Sequence, residues 1–142
     1  MKTNHTAASP VYVNKNDQLY INAQKIKPIK GFEDIVVHSD TDMFYLYDND
    51  GKEYTYNPKE FADIIRSSQN YDGGNVRLIA CNAGAKVDGA AQLLANELNV
   101  SVMASNTIAW TYPDGNIIIG SATDANDGKW ITFNPRGDIN YD

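Results

Sequence analysis

The sequence predicts one α/β domain with a small, mainly parallel central sheet and crossover helices, plus β-hairpins at the amino terminus and after the third central strand. Three observations carry this. Residues 34–38, 75–81 and 100–104 are short apolar or β-branched runs with the length of buried strands. Amphipathic stretches at 57–68 and 88–98 alternate with them, and the resulting β-α-β order makes the strands parallel. The length, 142 residues and 15.7 kDa, suits a single domain.

Taken in order, residues 1–10 are small and polar and read as a loose amino-terminal segment, with the single domain over 11–142. Val11-Tyr12-Val13 and Leu19-Tyr20-Ile21 flank Asn14-Lys15-Asn16-Asp17, the pattern of a short hairpin. Lys25, Lys27 and Lys30 around Pro28 read as a solvated connector rather than an anion site. Asp34-Ile35-Val36-Val37-His38 is the first central strand. Met43–Tyr47 and Glu53–Tyr56 alternate around Asp48-Asn49-Asp50-Gly51, a hairpin turn. A calcium loop does not fit there, because the acidic first ligand of an EF-hand would fall at Leu46.

Asn57-Pro58-Lys59-Glu60 opens the first crossover helix: Asn57 caps, Pro58 suits the first helical position and Glu60 completes a capping box. Phe61, Ile64 and Ile65 share one face. Asn75–Cys81 is the second central strand. Asp88 is the expected cap of the next helix, whose apolar stripe is Ala90, Ala91, Leu94, Ala95 and Leu98. After the third strand, Ile108–Tyr112 and Ile117–Ile119 bracket Pro113-Asp114-Gly115-Asn116 as a second hairpin. Lys129–Phe133 reads as a final edge strand, and Arg77, a charge in a buried strand, calls for an ion partner.

Composition narrows the function. Hydrophobic residues make up 42% and charged residues 21%, as in an ordinary globular protein. Twelve basic against 18 acidic residues leave a net charge of −6, which disfavours a broad grip on nucleic acid. One cysteine excludes an intramolecular disulfide and a Cys-rich zinc site, and two histidines, His5 and His38, leave little for a metal cluster. No metal and no cofactor are expected. No run is long enough to span a membrane, and the start lacks the apolar core of a signal peptide. Gly73-Gly74 precedes a strand rather than following one, so a phosphate-binding loop is not expected.

In open parallel sheets, functional groups gather at the carboxyl ends of the strands. His38 and Cys81 both fall at such ends. An imidazole beside a thiol can take its proton, and the thiolate then attacks a carbonyl. The loop Asn82-Ala83-Gly84 after Cys81 offers backbone N–H groups for a developing oxyanion. A strand-end cysteine is also met as a small buried hydrophobe, and a strand-end histidine as an ordinary hydrogen-bonded residue. Both readings stand on the residues alone. Asp40 and Asp42 could orient His38 or recognise a basic group, and otherwise form a solvated acidic loop. Ser105 and Asn106 follow the third strand and are expected to face the same cleft. Trp110 and Tyr112 read as a recognition wall or as core.

The order Ile-Val-Val-His38, then Leu-Ile-Ala-Cys81-Asn-Ala-Gly, at successive strand ends resembles the caspase-like cysteine peptidase fold of caspases, gingipains and self-cleaving toxin domains. The stretch from Ile64-Ile65-Arg66-Ser67 through Cys81-Asn82-Ala83-Gly84 to Ala91-Gln92-Leu93-Leu94-Ala95 is similar to carboxy-terminal domains of bacterial polymorphic toxins. So are Ala109-Trp110-Thr111-Tyr112-Pro113-Asp114-Gly115 and Trp130-Ile131-Thr132-Phe133-Asn134-Pro135. The resemblance covers residues 32–135. It implies His38 as base and Cys81 as nucleophile, with Ser39 where such enzymes commonly have a glycine whose N–H helps hold the oxyanion.

It further implies a protein or peptide substrate and a cognate immunity protein. The domain would be secreted as the carboxy-terminal part of a larger toxin and act in a target-cell cytosol in competition between bacteria. Two other functions remain at this stage: a nuclease-type toxin, against which the acidic balance weighs, and a non-enzymatic binding module on the same scaffold.

Overall fold

The computed structural model describes residues 8–48, 50–123 and 125–136; residues 1–7 of the expected loose segment lie outside them. In chain order the elements are β1 (Ala8–Val11), α1 (Gln18–Ala23), β2 (Glu33–Val36), β3 (His38–Ser39), β4 (Phe44–Tyr47), β5 (Glu53–Tyr56) and α2 (Pro58–Ser67). They continue as β6 (Val76–Ile79), α3 (Ala90–Leu98), β7 (Val102–Ser105), β8 (Ala109–Thr111), β9 (Ile117–Ile119) and β10 (Trp130–Phe133). The class is α/β, as expected.

The central sheet has the order β1-β2-β6-β7-β10. β1, β2, β6 and β7 run parallel, and β10 closes the far edge antiparallel, with Trp130 opposite Ser105 and Phe133 opposite Val102. β3-β4-β5 form a small antiparallel sheet inserted between β2 and α2, and β8-β9 form the second hairpin.

Side chains of a strand alternate between faces, and the core divides accordingly. Ile35, Val37, Val76 and Leu78 pack with Phe61 and Ile65 of α2 and with Ala91 and Leu94 of α3. Val36 and Ile79 face the other way, onto Ala23 of α1, Val13 and Ile26, with Ile117 and Trp130 alongside. Both faces are covered, which is why β6 is buried at every position and reads as a continuous apolar run. Arg77, on that strand, meets Asp34 of β2 through two bonds of 2.6 and 2.7 Å. Its Nη2 also donates to the Lys27 carbonyl at 3.1 Å, and its guanidinium lies 5.9 Å from the Trp130 ring centroid.

The capping box forms as expected: the Glu60 N–H donates to the Asn57 side chain, and the Asn57 N–H to Glu60. Three local expectations are corrected. Residues 8–11, put largely in a loose segment, form β1, because the free edge of β2 accepts a parallel strand. The amino-terminal hairpin is absent: Leu19-Tyr20-Ile21 lies in α1. Asp17 caps that helix by accepting from the Leu19 N–H at 2.8 Å, and buried Asn22 finds a carbonyl at Thr111, 2.9 Å away. Burial there falls on Asn22 and Ala23 while Ile21 stays exposed.

Asp88 does not cap α3. The cap position is Gly89, where a Cβ would come 2.5 Å from the Thr41 carbonyl. That carbonyl accepts the Ala90 N–H at 2.8 Å, and Asp88 instead pairs with Arg136.

Candidate active site at the strand ends

β2 and β6 are neighbours in the sheet, in register from Glu33 opposite Val76 to Val36 opposite Ile79. His38 and Cys81 each follow their strand by two residues, so the chain delivers both to one edge. A side-chain bond ties the two ends together: the Ser39 hydroxyl donates to the Cys81 carbonyl at 2.6 Å. The spacing of the two residues in sequence is accounted for by the β3-β4-β5 insert and α2.

His38 bonds through Nε2 to Asp17 Oδ2 at 2.6 Å, and the ring of Tyr47 stands edge-on to the imidazole, 5.9 Å between centroids and 88° between planes. The His38 and Asp17 side chains are 37% and 29% exposed, so the pair is open to solvent on one side. Cys81 is a free thiol, half-buried. Burial pushes its pKa above the ordinary thiol value, against a hydrogen bond from the backbone of Ala109. The resting sulfur is therefore held as the thiol, and a thiolate forms only when a base takes the proton.

The other expected cleft residues are largely committed to the fold. The N–H of Asn82 donates to the Thr107 carbonyl at 2.9 Å and that of Gly84 to the Ser105 carbonyl at 2.8 Å, so an oxyanion needs donors other than these two. Gly84 is a glycine for packing: a Cβ there would sit 2.9 Å from the Ala104 carbonyl and 3.1 Å from the Phe133 ring. Asn82 takes the left-handed conformation, φ 61°, which turns the chain sharply after Cys81.

Asp40 does not reach His38. It accepts from the N–H groups of Asp42 and Met43, at 2.8 and 2.7 Å, and from the Tyr45 hydroxyl. Desolvation pushes its carboxyl up, but those bonds outweigh it and leave the pKa lowered. Asp42 pairs with Lys86 at 2.8 Å, which lowers its pKa as well. The acidic loop thus docks on the entry to α3. Ser105 is buried and its hydroxyl donates to the Thr107 carbonyl at 2.6 Å; Asn106 exchanges bonds with Lys129. These two close the turn after β7 instead of lining a cleft. The indole N–H of Trp110 donates to the Gly120 carbonyl at 2.9 Å, and the Tyr112 hydroxyl to the Thr123 carbonyl.

One residue of the site escaped the sequence reading. Asp17 looks there like part of a turn, and its only signal is a cap-forming residue one position before an apolar run. Beside it a groove of about 710 Å³ opens between the segment 11–20 and the β4-β5 hairpin, with Tyr12, Tyr20, Leu46 and Tyr47 among its walls. Among the described residues, no three His, Cys, Asp or Glu side chains converge as metal ligands, and no helix is long and apolar enough to cross a membrane.

The fold and this edge define a small α/β domain that carries a lone cysteine and a histidine beyond adjacent strand ends, the histidine paired with the aspartate that caps α1. The chain belongs to the family described as Domain of unknown function (DUF8616), whose profile matches residues 8–119, from β1 to β9. No curated protein and no solved structure matches it.

Proposed function

We propose that the domain is a cysteine-dependent effector of the caspase-like kind, a peptidase or related acyl-transfer enzyme carried at the end of a bacterial toxin. One observation carries the reading: His38 and Cys81 leave neighbouring parallel strands at the same edge, with Ser39 bonded to the Cys81 carbonyl at 2.6 Å. A histidine at one strand end followed by a cysteine at the next is the order that carries the resemblance.

In this reading His38 takes the proton of Cys81 as sulfur attacks the carbonyl carbon of a substrate amide. The C–N bond of the resulting adduct breaks, and the imidazolium returns the proton to the leaving amine. Water, deprotonated by His38, then hydrolyses the thioester and frees the thiol. The raised pKa of Cys81 fits proton removal coupled to attack rather than a resting ion pair. Tyr47, whose ring stands edge-on to His38, is also a wall of the groove beside the segment 11–20, which would take a peptide side chain in this reading, and a producing cell would need an immunity protein.

The test is expression of the wild type, Cys81→Ala and His38→Ala in a bacterium, with circular dichroism to check folding and proteomics to find cleaved host proteins. Both variants are expected to be folded and harmless. A folded Cys81→Ala domain of undiminished toxicity overturns the reading.

The half-burial of the thiol supports a second reading, a non-enzymatic binding module in which Cys81 is structural. Thiol labelling separates the two. An activated cysteine reacts within the folded protein near neutral pH, whereas a structural one waits for unfolding.

A further inference from the structure

We propose that Asp17 is the positioning residue of this site: its carboxylate holds the proton of neutral His38 on Nε2, so that Nδ1 is the atom that accepts the Cys81 proton. The inference rests on the catalytic reading above and adds which nitrogen acts and what selects it.

An ionised carboxylate only accepts hydrogen bonds. With Asp17 Oδ2 2.6 Å from Nε2, the neutral ring gains by carrying its proton there, and the lone pair is left on Nδ1. The carboxylate is itself held from the other side. Its Oδ1 accepts the Leu19 N–H at 2.8 Å, and the Asp17 N–H donates to the Asn14 carbonyl at 2.9 Å. The helix that Asp17 caps is anchored in turn: Asn22 bonds Thr111 across the domain, and Ala23 is fully buried against Val36 and Ile79.

On the ring's side, β3 pairs His38 with Tyr45, and the Tyr47 ring stands edge-on to the imidazole. Both partners of the bond are thus fixed by the fold rather than by each other. When Nδ1 takes the thiol proton, the Nε2–H···Asp17 bond, already charge-assisted through the carboxylate, becomes an ion pair as well and stabilises the imidazolium. The proton on Nε2 stays where it is, and Asp17 is not protonated.

The experiment uses Asp17→Asn, because Asn and Asp are near-equal helix caps and α1 keeps its start. Asp17→Ser, also a good cap, serves as the second variant, and thermal melts confirm that each is folded. Ring nitrogen-15 spectra, assigned by their loss in His38→Ala, report the tautomer directly. The wild type is expected to show His38 protonated on Nε2 with Nδ1 unprotonated, and both Asp17 variants to shift toward a mixture. Alkylation of Cys81 by iodoacetamide near neutral pH is expected to slow by roughly a hundredfold in both.

A wild type protonated on Nδ1, or variants with an unchanged tautomer and alkylation rate, overturns the inference and leaves the Cys81 reading standing. A tautomer shift in a protein whose Cys81→Ala form keeps full toxicity overturns the catalytic reading instead, and with it the role of Asp17 in positioning a base.

Discussion

Burial pushes the phenol of Tyr12 up from its ordinary value of 10.0 to about 12, with the Ser68 side chain opposing. A group that holds its proton more tightly when folded adds stability that is fully present below the unfolded pKa and is lost as pH rises through the folded one. The window for Tyr12 is therefore about pH 10 to 12. Urea unfolding of the wild type and Tyr12→Phe across that range should show the wild type losing stability faster. A difference that stays flat with pH would remove Tyr12 from the account. Cys81 has the same sign, because burial raises its pKa too. Asp40 has the opposite sign: its lowered pKa makes it stabilising above the carboxylate range and lets that contribution go as pH falls.

At the scale of the element, α2 and α1 illustrate how far local sequence reaches. The capping box of α2 lies within four residues, Asn57 to Glu60, and was legible for that reason. Asn57→Ala should cost about 1 kcal/mol, read as a lowered urea midpoint with unchanged slope. The start of α1 has an equally local cap in Asp17. The helix also has a tie that no local pattern reveals, the bond of Asn22 to Thr111, 89 residues away. β2 and β6 hold the buried Asp34–Arg77 pair, whose need for a partner was readable and whose partner was not. Arg77→Leu should cost about 3–5 kcal/mol because Asp34 is left as a buried, unpaired charge. Asp34→Leu on the same background should recover most of that, since two apolar groups need no counter-charge. A double variant no more stable than Arg77→Leu alone would contradict the pairing.

Across the whole molecule, one sheet separates two apolar layers: α2 and α3 on one face, α1 and the β8-β9 hairpin on the other. The turn of that hairpin is seated on the segment that follows α1, for a Cβ at Gly115 (φ 90°) would run into the Lys25 carbonyl. Because β2 and β6 contribute to both layers, the layers should unfold together. Trp110 and Trp130 report the hairpin side, and far-ultraviolet dichroism is dominated by α2 and α3. Urea curves followed by tryptophan fluorescence and by dichroism are expected to coincide. A separate early fluorescence transition would show that the hairpin layer folds on its own.

The sequence alone determined the class of fold, the two crossovers and the delivery of His38 and Cys81 to one edge, because strand period, helix period and caps are set by residues a few positions apart. It also carried the single cysteine and the acidic balance, which bound the chemistry. Only the tertiary structure decided what those side chains touch. Asp17 meets His38 across 21 positions, Ser39 meets Cys81 across 42, and Ser105, Asn106, Asp40 and Asp42 are engaged by neighbours within the fold. A hydroxyl or carboxylate at a strand end has the same sequence signature whether it faces a substrate or a carbonyl. For His38 and Ser39 that partner is chosen by packing, which brings distant segments within 3 Å of one another.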